Sequence, residues 1–157
     1  MISLSVVEDR LSLIDLLLLA DDDRVSVENY LQLGTLYAIE CHEKVIGAVL
    51  LIHHTDAITE IKNIALHQEQ QGKGIGSQVI DEIVNIARKT GSKILEVGTA
   101  NSSIGNLTFY QKCGFRMVDI KRDYFAHYKP TVVENGIVGL DLVLFQMDLR
   151  HEDKESS

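Results

Sequence analysis

The chain has 157 residues, of which 45% are hydrophobic and 24% are charged, and its net charge is −8. This length and composition fit one globular domain with a real core, and they exclude a disordered chain. The acidic charge argues against a general nucleic-acid binder, whose affinity depends on Lys and Arg contacts to phosphate. It mildly favours cationic partners.

The sequence also bears on location. The longest apolar run, residues 13–20, contains Asp15 and is far shorter than the ~20 apolar residues of a membrane span. No basic segment followed by a small-residue cleavage site marks the chain for export. Cys41 and Cys113 lack a CxxC pattern and are expected to be reduced thiols. We therefore expect a cytoplasmic protein with no membrane association.

The residue pattern predicts one domain over residues 1–150 and a flexible tail at 151–157. In the first half, strands are predicted at residues 3–7, 35–41, 46–55 and 57–66, with helices at 11–20 and within 21–34. In the second half, helices are predicted at 76–90 and 104–112, with strands at 93–99, 115–120 and 139–149. Strand, glycine loop, helix and strand in the middle predict a parallel βαβ crossover with antiparallel neighbours, and hence an α/β fold.

The apolar alternation of the strand at residues 57–66 slips by one residue near Lys62 and Asn63. A β-bulge produces such a slip, because it adds a residue to one strand and frees backbone groups from the ladder. A strand that is buried on both faces would also lack strict alternation. The pattern alone leaves both structures open.

The stretch QGKGIG, residues 71–76, lies between a predicted strand and a predicted helix. Glycines allow positive φ angles, and a helix start offers unpaired N–H groups and partial positive charge, so the loop is suited to bind a pyrophosphate. A P-loop would need its Lys before Ser or Thr, whereas Lys73 lies between glycines. A dinucleotide fingerprint would need its third glycine at Ser77 instead of Gly76, although Glu96 lies where a ribose-binding acid would. Coenzyme A is the third ligand whose phosphates the loop could bind.

Two motifs resemble those of the GNAT N-acetyltransferase superfamily. Gln71, Gly74 and Gly76 match Q-x-x-G-x-G, and about 30 residues later NLTFYQKCGF, residues 106–115, matches a helix with a tyrosine that ends in Gly-Phe. The resemblance implies a mixed, mostly antiparallel central sheet with a parallel βαβ crossover at splayed middle strands and helices on both faces. It further implies transfer of an acetyl group from acetyl-CoA to an amine by direct attack in a ternary complex, and a possible homodimer.

The resemblance also implies which residues bind the donor. Those on the splayed strand and the glycine loop are Ile64, Ala65, Leu66, Gln71, Gly72, Lys73, Gly74, Ile75, Gly76 and Ser77. The N–H of Leu66 matches the family's oxyanion contact. Many members have an alanine one turn before the tyrosine and an asparagine nearly two turns before it, and these positions hold Asn106 and Ser103 here. Either Asn106 or Asn101 is therefore expected to hold the pantetheine arm.

Acetyl transfer needs a neutral amine and a proton for the departing thiolate. Glu60 resembles the acid that serves as general base in many members, and a solvated surface glutamate is the alternative. Tyr110 matches the family's general acid, and a tyrosine in the core is the alternative. No metal site is expected, because the adjacent His53 and His54 point to opposite faces of a strand.

The acceptor is expected to be a cationic amine, such as a small amine, an aminoglycoside-like polyamine or a lysine side chain. The connection at residues 121–136 could line its pocket with aromatic and charged side chains, or simply pack as a long loop. Its candidates are Tyr124, Phe125, His127, Tyr128 and Glu134. A non-catalytic acyl-CoA sensor on the same fold is the alternative function, and a nicotinamide-dependent oxidoreductase is disfavoured by the glycine register.

Overall fold

The computed structural model describes residues 1–150, and the tail expected at 151–157 lies outside the described residues. The described part holds nine strands and four α-helices, divided into two compact units, Met1–Lys93 and the residues from Ile94 onward. The expectation of a single domain over residues 1–150 stays a prediction. No helix in the described part is long and apolar enough to cross a membrane.

The first unit contains four strands that are adjacent in chain order and antiparallel. Its elements are β1 Ile2–Val6, α1 Ile14–Ala20, α2 Arg24–Tyr30, β2 Thr35–Cys41, β3 Lys44–His53, β4 Ile58–Leu66 and α3 Ile75–Lys89. All of the elements predicted for this half are present, with boundaries shifted by a few residues. The predicted helix at residues 11–20 differs most, because it opens as a 3-10 turn, Arg10–Leu13, before α1 begins.

A tight turn joins β2 to β3, as predicted. Cys41 pairs with Lys44, so the turn proper consists of His42 and Glu43, with φ angles of 52° and 64°. Two successive residues of positive φ form the turn whose twist matches that of a β-hairpin. The polar residues between the two apolar runs are therefore partly strand and partly turn.

The core of the first unit covers one face of the sheet with α1 and α2. Its buried residues are Ile14, Leu16, Leu17, Val27, Tyr30, Leu31, Leu36, Ala48 and Leu50. Residues of the opposite face, such as Tyr37, Ile39, Val49 and Leu51, are buried as well. The sheet of this unit is thus covered on both faces, as the α/β class predicts.

The second unit is built around a central strand, β9, which pairs antiparallel with β5 on one side and β6 on the other. Its elements are β5 Ile94–Ala100, α4 Ile104–Lys112, β6 Arg116–Lys121, β7 Val133–Glu134, β8 Ile137–Val138 and β9 Leu142–Asp148. The chain order β4, α3, β5 places a strand, helix and strand in the middle of the sequence, with antiparallel pairs in both units. The predicted mixed α/β fold class is confirmed.

The hairpin of β7 and β8 lies in the connection that the sequence analysis treated as a long loop. Asn135 and Gly136 form its turn with φ angles of 55° and 73°. Asn-Gly is a strong hairpin signal, but strands of two residues are too short to show alternation.

Candidate active site

The glycine loop leaves the end of β4 and enters α3 with two residues in left-handed conformation. Gly72 and Gly74 have φ angles of 76° and 77°, and a Cβ on either would meet no atom within 4 Å. These positions therefore need glycine for its backbone conformation and not for space. The side-chain amide of Gln71 donates a hydrogen bond of 3.2 Å to the Leu66 oxygen, which ties the loop back to β4.

The start of α3 is suited to an anion. Gly74 is its N-cap residue and has no side chain, so no side-chain cap satisfies the first N–H groups of this 15-residue helix. The Ser77 hydroxyl donates to the Gly74 oxygen at 3.1 Å, and Lys73 is exposed beside the loop. The partial positive charge of the helix start adds to these donors. The predicted residues 71–77 are contiguous, and uncapped N–H groups at a helix start are a feature that anion-binding sites use.

A β-bulge interrupts β4 near Lys62, which decides between the two structures that the sequence pattern left open. Leu50 pairs with Asn63 and Leu51 pairs with Ile61, so Lys62 is the extra residue. The buried residues of β4 are Thr59, Ile61, Asn63 and Ala65, which alternate by number. Cross-strand partners share a face of the sheet. Thr59 and Ile61 therefore lie on one face of the sheet, and Asn63 and Ala65 lie on the other. The bulge causes this change of face.

The backbone beyond the bulge presents donors away from β3. The His67 N–H bonds to the Ile46 oxygen at 2.9 Å, so in an alternating antiparallel ladder the N–H groups of Leu66 and Ile64 point to the other side. Gly47 lets the two strands approach closely here, because a Cβ on it would lie 2.3 Å from the Ala65 oxygen. These outward N–H groups belong to residues expected to bind the donor.

Glu60 lies on β4 before the bulge and is half-buried. Its Oε1 is 2.9 Å from the His54 Nε2, and its Oε2 is 3.9 Å from the Lys62 Nζ. His53 points to the opposite face, where its Nδ1 is 2.8 Å from the Thr59 hydroxyl. The two histidines therefore separate as predicted, and no cluster of three metal-ligating side chains occurs in the described residues.

Asn63 is a buried polar residue whose role the sequence analysis missed. Its side chain is 4% exposed, and its amide donates to the Leu17 oxygen at 3.0 Å and to the Tyr30 hydroxyl at 2.8 Å. The Tyr30 hydroxyl in turn donates to the Asp21 carboxylate at 3.0 Å. The available signal was a lone carboxamide in the middle of an otherwise buried strand.

Tyr110 is on α4 in the second unit and is 4% exposed. Its ring packs against Phe109, Phe115 and Phe145, with centroids 5.2, 5.5 and 5.7 Å away. Burial, with a smaller contribution from Cys113, raises the pKa of Tyr110 well above its ordinary value. The phenol therefore stays protonated at any physiological pH, which is the state a general acid needs.

The two asparagines considered for the pantetheine arm differ in their contacts. Asn101 is engaged on both sides of its amide, since its oxygen accepts from the N–H groups of Leu140 and Asp141, and its nitrogen donates to the Val138 oxygen. Asn106 is exposed and makes one contact of 3.3 Å to the Thr99 hydroxyl. Asn101 thus fastens the connection before β9, and Asn106 has the more available side chain.

The connection between β6 and β9 is attached to the start of α4. The Glu134 carboxylate accepts hydrogen bonds from the hydroxyls of Ser102 and Ser103 at 3.1 and 2.8 Å. Edge-to-face contacts link the rings of Tyr124 with Phe125 and of Phe125 with Tyr128. The candidate aromatic residues therefore pack on one another.

The contacts of the remaining candidates are local. Tyr128 also packs edge-to-face against the His127 ring. Glu96, considered as a ribose-binding acid, accepts a hydrogen bond of 2.8 Å from Gln146 on β9. Glu60 and the residues of 64–77 expected to bind the donor lie in the first unit, and Tyr110, Asn101 and Asn106 lie in the second.

Comparison with known proteins agrees with this architecture. The model of the acetyltransferase (GNAT) family matches residues 12–115. An uncharacterized N-acetyltransferase of Bacillus subtilis (strain 168), YvbK, is 41% identical over 87% of this chain and 89% of its own. The crystal structure of a Bacillus subtilis acetyltransferase in complex with CoA is 37% identical, with a TM-score of 0.87 over 94% of this chain and 99% of its own.

A GNAT acetyltransferase from Elizabethkingia anophelis with acetyl-CoA bound is also 37% identical, with a TM-score of 0.88 over 94% of this chain and 97% of its own. The extent of the family match and the identity to these relatives over most of the chain establish the relationship. The chain belongs to the GNAT family of acetyltransferases.

Proposed function

We propose that this acetyltransferase moves the acetyl group of acetyl-CoA to a cationic amine by direct attack, with both substrates bound together. The observation that carries the proposal is the uncapped start of α3 behind Gly72 and Gly74, directly after the bulged strand β4. Relatives with CoA or acetyl-CoA bound support the identity of the donor.

Most of the residues proposed to hold the donor lie in the first unit. The loop of residues 71–77 binds the pyrophosphate through backbone N–H groups and the helix dipole, with Lys73 adding charge. The backbone of residues 64–66 binds the pantetheine arm, and the Leu66 N–H faces the thioester oxygen. On α4, Asn106 holds the pantetheine arm, because Asn101 is already engaged by the connection before β9. When bound, acetyl-CoA supplies the acetyl thioester.

Two side chains move protons. Glu60 takes a proton from the acceptor amine, directly or through water, because most amines are protonated at neutral pH and cannot attack. Tyr110 gives a proton to the departing sulfur. The raised pKa of Tyr110 keeps the phenol protonated but also makes it a weaker acid, so the support for this role is its position in the family motif.

The acceptor is proposed to be a cationic amine. The net charge of −8 and the run Asp21, Asp22 and Asp23 between α1 and α2 favour an approaching cation. A homodimer is also proposed, supported by the exposed apolar side chains of Met117, Val118 and Ile120 on β6. A cytoplasmic location is proposed from the two cysteine thiols, Cys41 and Cys113.

The first test is thermal stability with acetyl-CoA, CoA, NAD and ATP. At a hundredfold excess over its dissociation constant, a ligand adds about 2.7 kcal/mol to the free energy of unfolding. We expect the two CoA species to stabilise the protein, and NAD and ATP to leave it unchanged. Stabilisation by NAD instead would overturn the assignment of the glycine loop.

The second test is release of free thiol from acetyl-CoA in the presence of a panel of amines. The panel contains methylamine, spermidine, kanamycin, a peptide with a free N-terminus and a lysine-containing peptide with a blocked N-terminus. Amine-dependent thiol release, with the acetylated amine identified by mass, is the expected result. Binding of acetyl-CoA without release for any amine would support a sensor.

A further inference from the structure

The Glu60 carboxylate is held from two sides by side chains of its own sheet. His54 contacts one oxygen at 2.9 Å and Lys62 lies 3.9 Å from the other. Glu60 and Lys62 are partly buried, with exposed fractions of 27% and 28%, and His54 is exposed at 43%. The His54 contact is within hydrogen-bond distance, whereas Lys62 acts on the other oxygen through its charge alone, and both restrict the orientation of the carboxylate.

The backbone fixes the position of His54. Its N–H donates to the Ile58 oxygen at 2.8 Å, which continues the ladder one residue beyond β3. Ile52 pairs with Glu60, so His54 lies diagonally across from Glu60 on the same face of the sheet. The neighbouring His53 cannot take this place, because it faces Thr59 on the opposite side.

The second contact comes from the bulge. Lys62 is the extra residue of β4, and its ammonium lies 5.2 Å from the centroid of the Tyr30 ring. Tyr30 is in turn fixed by hydrogen bonds with Asn63 and Asp21. The lysine is therefore held between a carboxylate and an aromatic ring whose own position is set by the core.

We propose that His54 and Lys62 are positioning residues, which hold the Glu60 carboxylate in the one orientation from which it can accept a proton from the amine. The inference rests on the proposed role of Glu60 as general base. His54 acts as a hydrogen-bond donor and not as a proton carrier. Any side chain that places a hydrogen-bond donor at the position of the His54 Nε2 atom therefore keeps the function. Lys62 acts through its charge on the other oxygen.

The test compares two substitutions of His54 with the best acceptor of the amine panel. His54→Gln places an amide N–H near the position of Nε2 but cannot take up a proton, whereas His54→Leu removes the donor. We expect His54→Gln to retain kcat within about twofold and His54→Leu to lower kcat by about tenfold, with KM for acetyl-CoA unchanged in both. Lys62→Met is expected to lower kcat in the same way. His53→Gln, on the opposite face, is the matched control and leaves kcat unchanged.

The double variant with Glu60→Gln separates positioning from a structural effect. If His54 acts through Glu60, His54→Leu lowers kcat in the native background and has no further effect in the Glu60→Gln background. Equal losses in both backgrounds, equal losses for His54→Gln and His54→Leu, or no loss for His54→Leu would each overturn the inference while leaving Glu60 as the base. An unchanged kcat for Glu60→Gln alone would overturn the proposed role of Glu60 itself, and the positioning roles with it.

Discussion

The side-chain amide of Asn63, in the middle of β4, donates a hydrogen bond of 3.0 Å to the main-chain oxygen of Leu17 in α1. The same amide nitrogen reaches the hydroxyl of Tyr30, the last residue of α2, at 2.8 Å. One buried side chain of the bulged strand therefore holds both helices that cover this face of the sheet. The strand that carries Glu60 and the helices are thereby joined by a polar contact as well as by apolar packing.

Replacement of Asn63 by Ala is expected to destabilise the protein by about 1 to 3 kcal/mol, because it removes two buried hydrogen bonds. The free energy of unfolding in urea measures this loss. Asn85→Ala is the matched control, since Asn85 is exposed on α3 and its amide contacts only Glu82 at 3.2 Å. A loss no larger than that of the control would contradict the role assigned to Asn63.

Replacement of Gly74 by Ala is expected to lower stability by about 1 kcal/mol and to raise KM for acetyl-CoA. The strain arises because alanine is disfavoured at a φ of 77°. Gly91→Ala is the control, because Gly91 follows the other end of α3, has a φ of 84° and also has open space around it. If both variants lose the same stability and only Gly74→Ala raises KM for acetyl-CoA, the rise in KM comes from weaker pyrophosphate binding and not from backbone strain. Equal KM values would argue against pyrophosphate binding by the loop.

Replacement of Tyr110 by Phe is expected to lower kcat by about a hundredfold or more, since general acid catalysis contributes on that scale. Tyr37→Phe, a buried tyrosine on β2, is expected to leave kcat unchanged. Because burial raises the pKa of Tyr110, kcat should show no fall from its ionisation up to about pH 10. An alkaline decline that disappears in Tyr110→Phe would contradict this assignment.

His53 is expected to make the protein less stable as the pH falls. Burial and, second, the nearby His54 lower the pKa of His53 below its ordinary value of 6.5. The unfolded chain therefore binds a proton first, so this stability is present above pH 6.5 and is lost as the pH falls toward the folded-state pKa. Urea midpoints between about pH 7.5 and about pH 5.5 measure the decline. The fall in urea midpoint with falling pH should be shallower in His53→Gln. If the slope of midpoint against pH is unchanged in this variant, other groups cause the decline.

We expect Asn101 and Asn106 to have different functions. Asn101→Ala should speed hydrogen exchange at the N–H groups of Leu140 and Asp141, whose acceptor is the Asn101 oxygen, and leave KM for acetyl-CoA unchanged. Asn106→Ala should raise KM for acetyl-CoA and leave that exchange unchanged. The reverse result would assign the pantetheine arm to Asn101.

The elements that carry the site were predictable because their signals are local. Positive φ at Gly72 and Gly74 is what their residue type allows, and the slip in alternation marked the position of the bulge at Lys62 as one of two possible structures. The family motifs then connected these local features to a chemistry. The short hairpin around Asn135 was not predicted, because its strands are too short to show an alternating pattern of apolar and polar residues.

The polar partners of the site were not predictable in the same way. His54 reaches Glu60 only because the strands pair in a particular register, and Asn63 reaches Leu17 across 46 positions of sequence. No short window contains both Asn63 and Leu17, and His54 and Glu60, although only six positions apart, meet only because β3 and β4 pair in this register. Asn101 shows the same limit, since its carboxamide is used by backbone groups 39 and 40 positions away.

The bulge at Lys62 changes the ladder at one position only. If Lys62 is left out, Leu51 with Ile61 and Leu50 with Asn63 become consecutive pairs of a regular ladder, and every other side chain of β4 keeps its face. The bulge therefore amounts to one residue added to an otherwise regular ladder, and that residue is the lysine whose ammonium lies 3.9 Å from Glu60.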